Sequence, residues 1–310
     1  MTTATLPAAA QTTARPRRNK ANRGGLVAWA FALPALAVYL IFLVYPALQS
    51  LWFSLTNWDG LSATYDFVGL DNYAAMPDDP VVIQAIINNI IWTIVTITVP
   101  VVIGLTLAVM LNGKVRAKPV LRLIFYTPAV LPLVAVASIW GWLYNPQYGV
   151  INAVLRAIGL DALAQPWLGQ DSTALAAVMV PAIWLRVGFP MLLYLAALQG
   201  INTDMYEAAT VDGATKSQQF WHITMPSLKP AHYIVIALSL IDSFKVFDLI
   251  YAMTYGGPGT ATQVMGTWMY FNVFQYYQAG YGTAIAVVIT VVAIVVSIPY
   301  VRSQAKEAAS

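Results

Sequence analysis

The chain has 310 residues, of which 59% are hydrophobic and only 9% charged, and its mean hydropathy is +0.66. A soluble domain carries roughly 25% charged residues, so the composition excludes one and describes an all-α integral membrane protein. The net charge of +3 is modest. The absence of cysteine excludes disulfides, thiolate metal sites and cysteine nucleophiles, and two histidines, His222 and His232, make a multi-histidine metal site unexpected.

Residues 1–25 are small, polar and basic, with Arg15, Arg17, Arg18, Lys20 and Arg23 and no apolar period, which predicts a disordered tail. A secretory signal begins in the same way. The apolar run from about residue 26 to 55 is, however, much longer than the roughly 7 to 15 residues of a signal core, and further spans follow. A helix needs about 20 apolar residues to cross a hydrocarbon core of about 30 Å. Six stretches qualify, at about residues 27–50, 85–111, 120–144, 174–199, 231–253 and 282–301, giving a six-span domain over residues 26–302 and a short tail at 303–310. Pro100, Pro128, Pro132, Pro181 and Pro190 fall inside spans, which bundled membrane helices tolerate. Loops 57–80, 145–171 and 255–280 mix aromatics, Gly and Pro, and Trp52, Trp58, Trp167, Trp268 and Tyr270 suit an interfacial belt.

Arg186, between Trp184 and Phe189 on the fourth span, is a charge inside the membrane. The polar stretch that follows, residues 201–230, is rich in helix formers. Asp204 and Glu207 suit the first turn of a helix, Ala208, Ala209 and Ala214 form a small-residue face, and Gly213 permits a sharp reversal. A second short helix then runs toward Pro226 and Pro230, which open the fifth span, so the segment reads as a helix-turn-helix at the membrane surface. On the fifth span, Asp242, Lys245 and Asp248 recur at spacings of three and are expected on one helical face. Exposed to lipid they would cost roughly 8 to 10 kcal/mol together. They are therefore expected to face the bundle interior, with Lys245 pairing with either aspartate and Arg186 reaching Asp242 or a ligand oxygen.

An even number of spans puts both termini on one side. Lysines and arginines gather in the N-terminal tail, in loop 112–122 (Lys114, Arg116, Lys118, Arg122), in loop 201–230 (Lys216, Lys229) and in the C-terminal tail (Arg302, Lys306). The other three loops hold only Arg156, and they carry Asp59, Asp66, Asp71, Asp78, Asp79, Asp161 and Asp171. Both termini and loop 201–230 are thus expected in the cytoplasm.

The spacing Glu207-Ala208-Ala209, Gly213, Ile223, Met225-Pro226 resembles the EAA loop of ABC importer permeases, with Met225 where that family usually has Leu. Phe67-Val-Gly-Leu-Asp-Asn-Tyr73, Tyr148-Gly-Val-Ile-Asn152 and Phe247-Asp248 through Gly-Gly-Pro258 with Thr262 are similar to its carbohydrate-uptake branch, represented by the larger membrane subunit of the maltose importer. The resemblance covers about residues 27 to 302. It implies a six-helix type I importer (MetI-like) fold, no catalysis and no cofactor in this chain, and a bacterial or archaeal plasma membrane. The partners it implies are ATPase subunits, a second and different permease chain, an extracytoplasmic solute-binding protein, the lipid bilayer and a carbohydrate, with no nucleic acid and no metal. Carried over by motif position, Glu207, Ala208, Ala209, Asp212, Gly213, Ile223 and Pro226 would dock on the ATPase, and Leu185, Arg186, Phe189, Ile241, Asp242 and Lys245 would line the substrate path. The sequence agrees in one respect: no G-x-x-x-x-G-K-[ST] loop is present, and Gly256-Gly-Pro-Gly-Thr260 lacks the lysine, so ATP phosphates would have to be held elsewhere.

Two other readings stand beside this one. Asp242 and Asp248 could be ion sites of a secondary transporter, although the chain shows no duplicated halves. An importer of another polar solute, such as glycerol phosphate, would share the same loop. The charged residues of the fourth and fifth spans could also serve only as a structural salt-bridge network.

Overall fold

The computed structural model describes the backbone of residues 21–113 and 115–307, and the side chains of Trp29 and of residues 31–113 and 115–298. Most of the expected N-terminal tail, Lys114 and the last three residues lie outside the described residues. Among the described residues every regular element is helical, apart from one lone antiparallel bridge between Thr56 and Phe67.

Of the described residues, those from 21 to 49 form one compact unit and those from 50 to 307 a second. In the first, α1 (Ala21–Tyr39) starts inside the stretch expected to be disordered, so its residues 21–25 are helical. A π-helical turn (Leu40–Val44) follows and leads into α2 (Tyr45–Phe53). The wider turn comes just before Pro46, whose missing N–H and bulky ring spoil the ordinary i to i−4 ladder. Tyr45 N–H accordingly reaches back to Leu40 O.

The second unit is built around α3 (Pro80–Asn112), 33 residues long. Asp79 caps it, accepting from Val81 N and Val82 N, and Pro80 sits at its first position, where no N–H is needed. Then come α4 (Lys118–Tyr126) and α5 (Leu133–Leu143), joined by a 3-10 turn holding Pro128 and followed by Pro132. The two helices are bent by 101°, so the third expected span is not one straight rod. Next, α6 (Asp171–Arg186) and α7 (Gly188–Gln199) run on with only Val187 between them. After the surface segment lie α10 (Lys229–Ser243), α11 (Asp248–Thr254), α12 (Met265–Phe274) and α13 (Ala279–Glu307), with α8 (Thr203–Val211) and α9 (Lys216–Gln219) inside that segment. α13 continues into the expected C-terminal tail.

The fifth expected span, 231–253, is likewise broken. Residues 244–247 leave the helix, and Phe247 takes φ −154° and ψ −63°. A side chain on Gly266, at the start of α12, would place its Cβ 2.7 Å from the carbonyl oxygen of Val246, so that glycine lets the broken backbone seat against α12. Four continuous helical stretches among the described residues are long and apolar enough to cross a membrane, or five if the bent α4–α5 pair counts as one.

Lipid is as apolar as leucine, so close packing and small residues hold membrane helices together. Ala85, Ala108, Ala174, Ala182 and Ala284 have no exposed surface. Trp92 of α3 packs with Val136 of α5, Val178 of α6 and Ile250 of α11, while Ala108 and Leu111 pack with Met191, Tyr194 and Leu195 of α7 and Val235 of α10. A third cluster joins Val82 and Ala85 to Ala284 and Ile285 of α13. The long α3 therefore serves as the post against which α6–α7, α10 and α12 are set.

Candidate functional site: a surface turn and a polar cavity

The segment after α7 folds as the spacing predicts, into two helices and a reversal. Asn202 caps α8 by accepting from Asp204 N, and Asp204 lies in the first turn, where its charge suits the helix dipole. Glu207 does not: it is the fifth residue of α8, outside the first turn, and its exposed carboxylate has no partner among the described residues. The helix ends where Gly213 adopts φ +82°, a conformation side-chain-bearing residues avoid. Ala214 N then bonds to Ala209 O at 2.8 Å, closing the turn.

Thr215 begins the return with a reciprocal capping box. Gln218 N donates to Thr215 Oγ1 at 3.3 Å and Thr215 N donates to Gln218 Oε1 at 2.8 Å. α9 then widens into a π turn, Phe220–Thr224, just ahead of Pro226, repeating the device seen before Pro46. Two bonds clamp the arms together. Gln219, buried, donates from Nε2 to Thr210 Oγ1 at 2.9 Å, and the Tyr206 and Thr224 hydroxyls lie 2.9 Å apart.

Between the arms lies a cavity of about 330 Å³ lined by Ala209, Asp212, Gly213, Ala214, Gln218 and Ile223, among others. Ala208 and Pro226 are exposed beside it. Met205, Ala208 and Val211 share the outer face of α8, Val211 being 88% exposed. An apolar stripe offered this openly, on a polar segment, is what a protein partner would cover.

The second place the sequence singled out is a cavity of about 380 Å³ bordered by Leu185, Arg186, Phe189, Ile241, Asp242 and Lys245, together with Pro100 of α3. All six expected path residues meet there. Arg186, at the end of α6, donates from Nε and Nη2 to the same oxygen of Asp242, at 2.8 and 2.6 Å. The Asp242 side chain is 54% exposed, so the pair is open to the cavity and not sealed in the bundle.

Three expectations are corrected here. Asp242, Lys245 and Asp248 do not share a helical face, because Asp242 lies in the last turn of α10, Lys245 sits in the break and Asp248 opens α11. Lys245 pairs with neither aspartate, and Asp242 is held by Arg186 instead, at 2.6 Å. All three charged side chains are exposed in this chain, and Asp248 is not part of the cavity wall.

Sequence reasoning also missed Gln219, Thr215, Thr210, Tyr206 and Thr224, the residues that make the turn rigid. Thr215-x-x-Gln218 was readable as a capping box. The Gln219 clamp was not, because it joins residues on two arms whose registry only the folded turn sets.

A helical bundle with a rigid surface turn and a polar cavity inside its apolar walls defines a membrane transport subunit. Residues 100–305 match the binding-protein-dependent transport system inner membrane component family. The chain is 38% identical over 279 residues to YurN of Bacillus subtilis (strain 168), a probable ABC transporter permease protein, covering 89% of this chain and 95% of that one. It is 33% identical over 270 residues to MalF of Thermococcus litoralis, a trehalose/maltose transport system permease protein, covering 87% and 90%. Among solved structures, the bacterial alginate ABC transporter in complex with an alginate pentasaccharide-bound periplasmic protein gives a TM-score of 0.79 at 26% identity, over 90% of this chain and 93% of that chain. The chain belongs to the family of inner-membrane components of binding-protein-dependent transport systems.

Proposed function

We propose that this chain is the permease subunit of an ATP-driven carbohydrate importer, one half of a translocation path completed by a second, different permease. The observation that carries the reading is the turn at Gly213: a rigid two-helix projection with an unpaired Glu207, an exposed Met205–Ala208–Val211 stripe and a cavity between its arms. Such a projection is shaped to seat in a groove of a separate ATPase. Glu207 pairs there with a basic residue, and Ala208, Ala209 and Gly213 allow close approach.

The substrate class is supported by the relatives named for trehalose, maltose and alginate and by the cavity, in which Phe189 offers a ring face and Arg186, Asp242 and Lys245 offer donors and acceptors. Sugars need both, because their C–H faces stack and their hydroxyls must be paired. Both termini lie in the cytoplasm, the chain crosses the membrane six times with the third and fifth crossings broken, and a solute-binding protein delivers substrate to the outer loops. ATP closes the ATPase pair, the docked turn transmits that motion, and the cavity changes the side to which it opens.

Glu207→Arg tests the reading. In the importer purified from its native cell, the substituted chain is expected to remain in the membrane while ATPase recovery and sugar uptake fall together. Unchanged uptake with that substitution would overturn the assignment of the turn.

A further inference from the structure

The short helix α4 carries two cations, Lys118 and Arg122, without a counter-charge among the described residues. Its Leu121 and Phe125 pack on the cluster of Met191, Tyr194 and Leu195 of α7. Gly188 lets the two helices close up, since a Cβ there would lie 2.6 Å from the carbonyl oxygen of Phe125. Lys118 and Arg122 flank that packed face, one turn apart and about 40° from each other around the helix. Both are half-buried. The Nε of Arg122 is shielded from solvent and meets no hydrogen-bond partner among the described residues, while Lys118 reaches the carbonyl oxygen of Asn112 at 3.4 Å.

No acid lies close in the sequence either. Residues 80–160 contain no Asp or Glu, and α7, the helix that α4 packs against, contains none. Arg116, exposed just ahead of α4, adds a third positive charge. Like charges one turn apart repel, and a half-buried guanidinium without a partner is unfavourable. An anion seated between Lys118 and Arg122 relieves both. The remaining faces of α4 indicate the kind of anion, because Val120, Leu123 and Ile124 are 55%, 66% and 57% exposed. An apolar surface this open on a membrane protein is one that lipid chains cover.

We propose that Lys118 and Arg122 hold the headgroup phosphate of an anionic phospholipid, whose acyl chains lie against Val120, Leu123 and Ile124. A zwitterionic lipid presents the same phosphate with an ammonium group beside it, which the two cations repel, so the site selects lipids of net negative charge. Free phosphate shares the headgroup's chemistry and has no chains to cover the apolar face.

The test titrates the complete importer, purified in detergent, with phosphatidylglycerol or with phosphatidylcholine and reads the tightest-bound lipid by native mass spectrometry. The ratio of the two Kd values is the readout, because it cancels any loss of folded protein. In the double variant Lys118→Gln, Arg122→Gln the preference for phosphatidylglycerol is expected to fall about thirtyfold, the effect of removing two cations from a membrane surface. Lys118→Arg, Arg122→Lys keeps both charges and should keep the preference. A second measurement needs no variant: phosphatidylglycerol should slow the modification of Arg122 by phenylglyoxal, mapped on the peptide, and phosphatidylcholine should not. An unchanged preference in the glutamine variant, or equal protection by the two lipids, overturns the site. Inorganic phosphate protecting Arg122 as well as phosphatidylglycerol does would assign the cations to a free anion, and loss of the ATPase from the glutamine variant with its lipid preference intact would assign them to a protein partner. Either result overturns the lipid assignment.

Discussion

Gln219 and Asp242 illustrate how exposure changes what a polar side chain does. Gln219 is buried at the crossing of the two arms, so replacing it with leucine removes the bond that ties them at Thr210 Oγ1 and costs about 1 kcal/mol locally. Gln219→Leu is expected to raise the hydrogen-exchange rate of amides 203–224 without changing exchange in α3. Asp242 stands half in the open, where an ion pair contributes about 1 kcal/mol or less. Asp242→Asn should therefore leave the unfolding temperature in detergent nearly unchanged, while altering which sugars stimulate ATP hydrolysis. A drop in stability with an unaltered sugar profile would instead assign the pair to structure. On the loop after α2, Asp59 accepts from the Ser62 hydroxyl at 2.6 Å and from the Ser62 and Leu61 amides at 2.7 and 2.8 Å, which hold its carboxyl down at about 2. The charged form is the bonded one, so the contribution of this turn is full above the ordinary carboxylate value near 3.8 and is lost as pH falls through about 2. Carbon-detected titration of Asp59 should show that low midpoint, and Ser62→Ala should raise it.

At the scale of elements, what the sequence disclosed depended on where the decisive residue sat. The start of α3 was readable but is five residues ahead of the expected span at 85–111, since Asp79-Pro80 before the long apolar run is a cap and a first-turn proline. So was the surface turn, because Gly213 lies at its own reversal. The α4–α5 bend was half legible: Pro128 and Pro132 were visible, but neighbours decide whether a proline breaks a membrane helix or is absorbed, and α3 continues through Pro100 as one element. The break between α10 and α11 was illegible. Ser243-Phe-Lys-Val-Phe247 contains neither Gly nor Pro, and the residue that accommodates the break, Gly266, is twenty positions further along the chain. Gly266→Ala should accordingly disturb α10–α11 more than α12. The expected result is a lower unfolding temperature and faster proteolysis near Val246, with the fragment ending there and not at residue 266.

At the scale of the whole molecule, the uneven distribution of charge becomes a statement about topology that the cysteine-free chain makes simple to check. Lys118, Arg122, Lys216 and Lys229 belong to loops proposed to face the cytoplasm, and the aspartates from Asp59 to Asp79 belong to a loop proposed to face outward. Ala63 and Ser217 are exposed in those two regions, and no native thiol competes with one introduced there. A membrane-impermeant maleimide added to intact cells is expected to label Ala63→Cys and to leave Ser217→Cys untouched until the membrane is opened. The harder question is whether the bent α4–α5 pair crosses at all, because a helix lying along the surface and then doubling back would leave both its ends on one side. Val115 precedes α4 and Gln147 follows α5, both exposed, so Val115→Cys and Gln147→Cys bracket the bend. If the pair is a crossing, only Gln147→Cys reacts from outside. Labelling of both or of neither would reduce the crossings from six to five or fewer, place the two termini on opposite sides or invert the later loops, and remove the surface turn from the reach of a cytoplasmic ATPase.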